Sequence, residues 1–563
     1  MTLGQRHKKL LEDGNKLFSD RQALDSFWQE VALQFYPEVA DFTSRRGVGA
    51  EFADHLTTSY PLLARRSLGD ALSALLRPVN LDTTSPGVWF SLRTDRKERE
   101  DTAAKRWMER TEGIQRRAMY DRSAQFVRAT KEGDHAFVTF GQAPLSLELN
   151  REGNGLLYRC WHLRDVAWTE DAEGKINAVW RKWTPTATQL VDTFGGKTAS
   201  QVREKLTNSP YDRVDVRHIM IDARLYESRD AAGKKFRTPW VSIWLDVENQ
   251  HVMEEVGSWS RVYIIPRWVT VPGSQYACSP AVTAALPDAR LIQAMTLTML
   301  EAGEKFADPP VLATQEAIRS DINLFPGGVT WVDAEYDERL GEALRAVYHP
   351  TAAQGMAVGL EMRGDVRDMI AKAFFLDSLS LPPSGTKDMT AFEIGERISE
   401  WIRRAMPIFE PMEFEYNGAL CEDTFALLMR NGAFGSPQDI PESLRGADIQ
   451  FKFESPLHES ADRKKGQKFL EAKAALVQAA EIDPSTVPML NASSALRDVL
   501  ASIGVPAEWT RSEEEVAAID EARKQAEQAQ QLLGGTAAGA EIAKNLGGAA
   551  KDFATARAVG QPQ

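Results

Sequence analysis

At 563 residues, with domains that usually run to roughly 100–200 each, the chain holds about three to five structural units. Hydrophobic residues at 43%, charged residues at 26% and 14 Trp exclude wholesale disorder, collagen-like repeats and membrane composition. The 67 Lys+Arg against 80 Asp+Glu, a formal charge of -13, argue against a grip on nucleic acid by phosphate neutralisation, which needs clustered cations; looser contact stays open.

Cys160, Cys278 and Cys421 lie more than a hundred residues apart, which suits a reducing compartment and supports neither a disulfide framework nor a thiolate zinc site. The first residues carry cations but no apolar segment before acids appear, so no signal peptide is expected. The best apolar stretch, residues 279–302, contains Asp288, Arg290, Glu301 and Pro287, and so falls short of the roughly 18 uncharged residues a membrane span needs. A soluble chain is expected.

To about residue 130 the pattern is helical. Leu24, Phe27, Trp28, Val31, Phe35 and Tyr36 recur at three- and four-residue steps up to Pro37, and a second stripe of leucines from Leu62 to Leu76 stops at Pro78. Residues 88–92 predict a strand. Residues 100–132 predict a third helix, with Trp107 and Met119 inward.

From 135 to 271 the period falls towards two. Val138, Phe140, Leu145, Leu147 and Leu149, then Leu156, Tyr158 and Cys160, predict strands, and residues 166–180 a hairpin turning at Gly174. Segments 216–226, 241–247 and 262–271 complete a β-rich body, with short helices at 186–194 and 199–206 around Gly195 and Gly196. A helix over 281–306 is closed by Pro309 and Pro310, and a second is expected over 352–376. A Ser/Pro/Gly-rich loop, 377–388, separates it from a long helical pattern, 389–431, expected to kink at Pro407 and Pro411 and to end at Gly432. A strand at 449–453 and Ala/Glu/Lys-rich helices follow, then an Ala/Gly-biased tail from about 532, where fraying is the default.

Enzyme motifs are wanting. Phe194 to Thr198 superficially suggests a phosphate-cradling loop, but Val191 stands where the first glycine is required and a helix precedes it, so a helix–helix turn is expected. The eight histidines never fall at i, i+4 spacing, which disfavours a helical zinc site, and His162 and His218 are expected as core or edge residues. Single carboxylates such as Asp165 or Asp246 have no acid–base partner in sequence.

The order of parts resembles the portal, or head-to-tail connector, proteins of short-tailed bacteriophages. The likeness is carried by residues 27–37, by the segment from Ser279-Pro280 to Pro309-Pro310 with residues 286–291 inside it, and by residues 389–394, and it spans most of 20–435. It implies a mixed α+β, predominantly helical chain. Residues 1–280 would be a helical and β-rich wing, 281–306 a stem helix, 307–351 the clip and 352–376 a second stem helix. A tunnel loop would follow at 377–388, a long kinked wing helix at 389–436 and a crown at 437–531, with 532–563 as the tail.

The same resemblance implies a ring, typically of twelve subunits, at one capsid vertex of the virion, built in the host cytoplasm. Double-stranded DNA would pass through it during packaging and ejection. Terminase, capsid and scaffold proteins, a tail adaptor and ejection proteins would be partners, and membrane, cofactor and chemistry of its own would not. An acidic subunit repeated round a ring suits a channel whose wall must not trap a sliding duplex. Candidate channel residues are Ser384, Gly385, Thr386, Lys387 and Asp388 in the tunnel loop and Arg363, Arg367 and Lys372 on the stem. Pro326, Gly327, Gly328 and Trp331 are candidates for clip docking, with Trp331 equally suited to a subunit interface. The rivals are a structural virion or tail protein without a channel, and a terminase-like nucleotide-binding enzyme.

Overall fold

A computed structural model of the chain describes residues 4–47, 49–78, 88–96, 100–228, 236–307, 311–313, 344–346, 352–379, 412–453, 469–478, 491–502, 505, 509–511 and 515–525. They fall into two units. The first comprises residues 1–91, 111–436 and 451–460, and the second 92–110, 437–450 and 461–563.

In the first unit, helices α1 (Gln5–Asp20), α2 (Gln22–Phe35) and α3 (Tyr60–Leu76) come first. Each is amphipathic, and α2 buries Trp28, Val31, Ala32 and Phe35 while leaving Phe27 exposed. β1 (Phe90–Thr94) and α4 (Thr102–Met119) are each divided between the two units in sequence, and helix α5 (Phe126–Phe140) of the first unit then leads into the β-rich body. The single helix expected over 100–132 is thus two. The break falls where Asp121 accepts the Ser123 backbone N–H and Gln125 takes φ +55°, and Trp107 and Met119 are buried as expected.

The strands expected at Val138 and Phe140 are also corrected, because both residues lie in α5. Phe137, Val138, Thr139 and Phe140 are all buried, so this last turn is covered on every side and loses the one-sided stripe that marks a helix in sequence. The helix stops at Gly141, φ +75°, where a Cβ would stand 2.2 Å from the Cys278 carbonyl carbon; only glycine fits there.

The body is built on a five-stranded antiparallel sheet in the order β4 (Val166–Glu170), β5 (Ile176–Trp183), β6 (Val216–Asp222), β7 (Trp240–Asp246), β8 (His251–Ser258). β4 and β5 form the expected hairpin, with Gly174 at φ +77°. A three-stranded sheet places β2 (Leu145–Leu149) between β3 (Leu156–Cys160) and β9 (Tyr263–Ile264). α1 lies across the larger sheet, where Leu10 and Phe18 join Trp180, Ile219, Ile221, Val241 and Ile243 in one core. Gly14 permits this approach, since a Cβ there would meet the Trp180 ring at 2.6 Å, and the Trp180 indole donates to the Leu10 carbonyl at 3.0 Å. α6 (Ala187–Phe194) starts with a Thr186–Gln189 capping box, and with α7 (Ser200–Asn208) it buries Leu190 and Val202 beside Val216 and Met253.

Two strand expectations change here, and one strand is new. The 216–226 segment leaves the sheet after Asp222 and becomes α8 (Ala223–Ser228), while 262–271 splits around Pro266 into β9 and β10 (Val269–Thr270), the latter paired with β11 (Ala277–Cys278). β8 has no forerunner in the sequence reading. Its alternation is broken by a register shift between Trp244 and Leu245, so that Glu254 pairs with Trp244 but Val252 with Leu245, leaving Met253 as the extra residue.

Helix α9 (Pro280–Ala307) then runs 28 residues with Pro287 inside it, close to the expected span, and α10 (Ala352–Ala373) follows. α10 ends three residues before the expected 376, because Phe375 takes φ +57° ahead of the short α11 (Leu376–Leu379). Between α9 and α10, β12 (Val311–Ala313) pairs antiparallel with β13 (Leu344–Ala346). Of the long helical pattern, the described part is a π-helical turn, Glu413–Gly418, continuing as an α-helix to Arg430. Gly432, φ +72°, ends it as expected. In the second unit, helical residues 469–478, Ala492–Ser502 and 515–525 are described.

Candidate functional site

The α9–α10 pair is the part of the first unit on which the candidate channel cations fall. α9 is anchored by its own polar side chains. Gln293 accepts from the backbone N–H of Thr57 (2.8 Å) and Thr58 (2.9 Å) and donates to the Thr58 carbonyl (3.0 Å), while Arg290 pairs with Glu30 at 2.5 Å. At the base of α9, Ser279 Oγ donates to the Val138 carbonyl and accepts from the Val282 N–H. α10 buries Val366, Ile370 and Phe374, the last ring 5.5 Å from Phe35, and Gly359 faces Met299, whose Sδ is 3.5 Å from where a Cβ would stand.

Beside the buried stripe, about 100° round the helix from it, α10 presents Val358, Met362 and Met369, which are 57%, 53% and 45% exposed. Their spacing of four and seven residues puts them on one face of the helix, with only Asp365 interrupting it. A row of large apolar side chains turned to solvent on a helix whose other face is already packed marks an interaction surface. Leu291, Leu297 and Leu300 add exposed apolar surface on α9.

The three stem cations do not converge. Arg363 and Arg367 are one turn apart and both half-buried, whereas Lys372 is exposed and lies about 180° round the helix from Arg363. The Arg367 guanidinium sits over the Tyr60 ring, 5.3 Å from its centroid, and burial raises the Tyr60 pKa. Over α9 and α10 together six acids stand against five bases, so these helices carry no cationic stripe. The other sequence-derived candidates, Ser384, Gly385, Thr386, Lys387 and Asp388, Pro326, Gly327, Gly328 and Trp331, and the kink prolines Pro407 and Pro411, lie outside the described residues.

The most catalytic-looking cluster is one that sequence reading assigned to the core. On β6, His218 is 1% exposed, with Nδ1 against the Tyr263 hydroxyl, Nε2 2.8 Å from Ser242 Oγ, and its ring stacked 4.0 Å from Trp244. Hydrogen-bond direction decides what it does. Arg181 Nε donates to the Tyr263 oxygen at 2.7 Å, so the phenol gives its own proton to Nδ1, and the imidazole proton is left on Nε2, directed at Ser242. A ring that donates to the serine cannot remove its proton. Burial and Arg181 lower the His218 pKa, and burial pushes Tyr263 up to about 12, so both groups stay neutral and the tautomer is fixed. The cluster is a hydrogen-bonded core element.

The Gly195–Lys197 segment is a 3₁₀ turn between α6 and α7, as expected, and Lys197 pairs with Glu254 at 2.6 Å. Among the described residues no cluster of His, Cys, Asp and Glu could hold a metal ion, and no helix is long and apolar enough to cross a membrane.

Against this geometry the family comparison is decisive. The model of the bacteriophage head to tail connecting protein family matches residues 7–510. The chain belongs to this family. It is similar to a probable portal protein of Bordetella phage BPP-1, 26% identical over 96% of this chain and 95% of that one, and to a portal protein of Salmonella phage epsilon15, 24% identical over 66% of each. A chain in the virion of a native gene transfer agent particle aligns over 74% of this chain and 86% of its own at 10% identity, with a TM-score of 0.33, too low to bear on the fold.

Proposed function

We propose that this chain is a phage portal subunit. Copies close into a ring, of about twelve, at one capsid vertex; double-stranded DNA is packaged, retained and ejected through its axis, with terminase docking first and a tail adaptor afterwards. The observation that carries the reading is family membership across residues 7–510, together with likeness to a portal protein over nearly the whole of both chains.

The α9–α10 pair supports the ring. A head-to-tail assembly needs a surface that the monomer leaves unfilled, and the Val358, Met362, Met369 face is such a surface. In this reading α9 and α10 are the stem, residues 307–351 the clip, 377–388 the tunnel loop, 389–436 the long wing helix and 437–531 the crown. Near-balanced charge on the stem and net acidity overall suit a wall that DNA slides past, with Lys387, Arg363, Arg367 and Lys372 making brief phosphate contacts. Pro382, Pro383 and Gly385 are the residue types that a loop with a stiff base and a shifting tip would use, and Pro326, Gly327, Gly328 and Trp331 are the candidates to meet the docking partners. The chain performs no chemistry; nucleotide hydrolysis resides in the motor.

The test is genetic. A phage with a nonsense codon in this gene, grown in a non-suppressing host, accumulates capsids without DNA, and the plasmid-borne chain restores filled heads. Filled heads formed without the chain would refute the function.

A further inference from the structure

A cavity of about 240 Å³ opens in the first unit between α1, α2, the loop after Val39 and the β4–β5 sheet, lined by Phe18, Asp25, Phe42, Thr43, Ser44, Arg45, Arg164, Asp165 and Lys182. Most of its charge is already matched. Arg164 bonds Asp165 through both Nε and Nη2 at 3.2 Å and reaches Asp41 at 2.7 Å. Behind the wall, Arg21 faces Asp25 at 3.3 Å and donates to the carbonyls of Val166 and Leu163. Arg217, the cross-strand neighbour of Lys182, is paired with Asp215.

Two cations are left over. The Lys182 ammonium is half-buried, 3.8 Å from the Phe18 ring centroid and in the field of Asp25, Asp165 and Asp215, and Arg45 lines the same cavity; among the described residues neither makes a direct ion pair or hydrogen bond. The next residue, Arg46, is committed elsewhere, to the Glu38 carbonyl at 2.7 Å and the Phe52 ring. A half-buried ammonium without an acceptor is costly unless something from solution supplies one. Burial, with Arg217 and Arg21, lowers the Lys182 pKa against the pull of Asp165 and Asp215, so the ammonium is only partly compensated where it stands.

We propose that this cavity binds a single tetrahedral oxyanion of the phosphate class, held between the Lys182 ammonium on β5 and the Arg45 guanidinium, with the Thr43 and Ser44 hydroxyls beside it. The volume takes such an ion with part of its hydration shell and is too small for most cofactors. Bound there, the ion neutralises Lys182 and ties the loop carrying Phe42 and Arg45 to the sheet. The site stands independently of the portal reading.

The test is calorimetric titration of the full chain with inorganic phosphate, against sodium chloride at matched ionic strength. One phosphate per chain is expected, with affinity about tenfold weaker in Arg45→Ala, the loss of one charge-assisted hydrogen bond, and no binding in Lys182→Met. Mass-spectrometric amine labelling locates the ion: at phosphate ten times its dissociation constant, acylation of Lys182 falls about tenfold relative to Lys175 on the exposed hairpin turn. Absence of binding heat refutes the proposal, as does equal affinity in wild type and Arg45→Ala. Arg45 is an exposed loop residue, so that variant carries the test if Lys182→Met fails to fold.

Discussion

The π-helical turn is held by a buried ion pair whose removal has a calculable consequence. Arg77 and Asp134 are 5% and 1% exposed, and the guanidinium grips both carboxylate oxygens while donating to Asn417 Oδ1 at 2.8 Å; Asn417 in turn donates to the Leu76 carbonyl at 3.3 Å. Burial opposes both charges, but a guanidinium stays protonated and Asp134 reinforces it, so the pair is ionic. Asp134→Ala leaves the Arg77 charge with one neutral amide partner, at a cost of about 3–5 kcal/mol. Replacing both partners, Arg77→Met with Asp134→Leu, removes the stranded charge and recovers most of that loss. Hydrogen exchange read by mass spectrometry gives the local opening free energy of α5, and its slowest amides should lose protection by about a hundred- to a few-thousand-fold in the single variant. Less than threefold loss, or a double variant as unprotected as the single one, would refute the reasoning.

Gly141→Ala meets both a left-handed φ and the Cys278 backbone, whereas Gly153→Ala, φ +72° with nothing within 4 Å, meets only the former; the first should lower the melting temperature well beyond the second, whose cost is about 1 kcal/mol. His135 accepts from Arg65 at 3.1 Å, and burial, with Arg65, lowers its pKa to about 4. The unfolded chain therefore takes up a proton that the fold refuses. Stability from this group is complete above pH 6.5 and is lost as pH falls towards 4, by at most about 3 kcal/mol, and His135→Gln should flatten the melting curve against pH in that window. Tyr263→Phe strands Arg181 Nε and His218 Nδ1, costing about 1–3 kcal/mol, and should abolish the fixed Nε2–H tautomer seen by imidazole ¹⁵N shifts in the parent chain.

Where burial is one-sided, sequence pattern and structure coincide. The Trp28 and Leu68 stripes, the β4–β5 hairpin, α6 and α7 with their Gly195 turn, and α9 all carry a period that a single buried face imposes. Where burial surrounds an element or irregularity interrupts it, the pattern misleads: α5 reads as strand because its last turn is enclosed, and β8 is hidden by its bulge. α1 falls within the helical pattern read to about residue 130, but charge blurs its own bounds, since only Leu10, Gly14 and Phe18 are buried along 16 residues. The exposed stripe on α10 is present in the residue spacing, but sequence alone does not say which face is already filled. Nor can it show that Arg367 is engaged by Tyr60, or that Lys182 and Arg45, far apart in the chain, flank one cavity.

The central claim is assembly into a channel, and the most direct test is native mass measurement with electron microscopy of the purified chain, beside a Met362→Glu variant. Closed rings with an axial hole and a mass near twelve times 62.7 kDa are predicted for the parent chain, and subunits of unchanged circular dichroism but no rings for the variant. A parent chain that stays monomeric or dimeric across salt conditions, or rings that the variant forms equally well, would contradict the account.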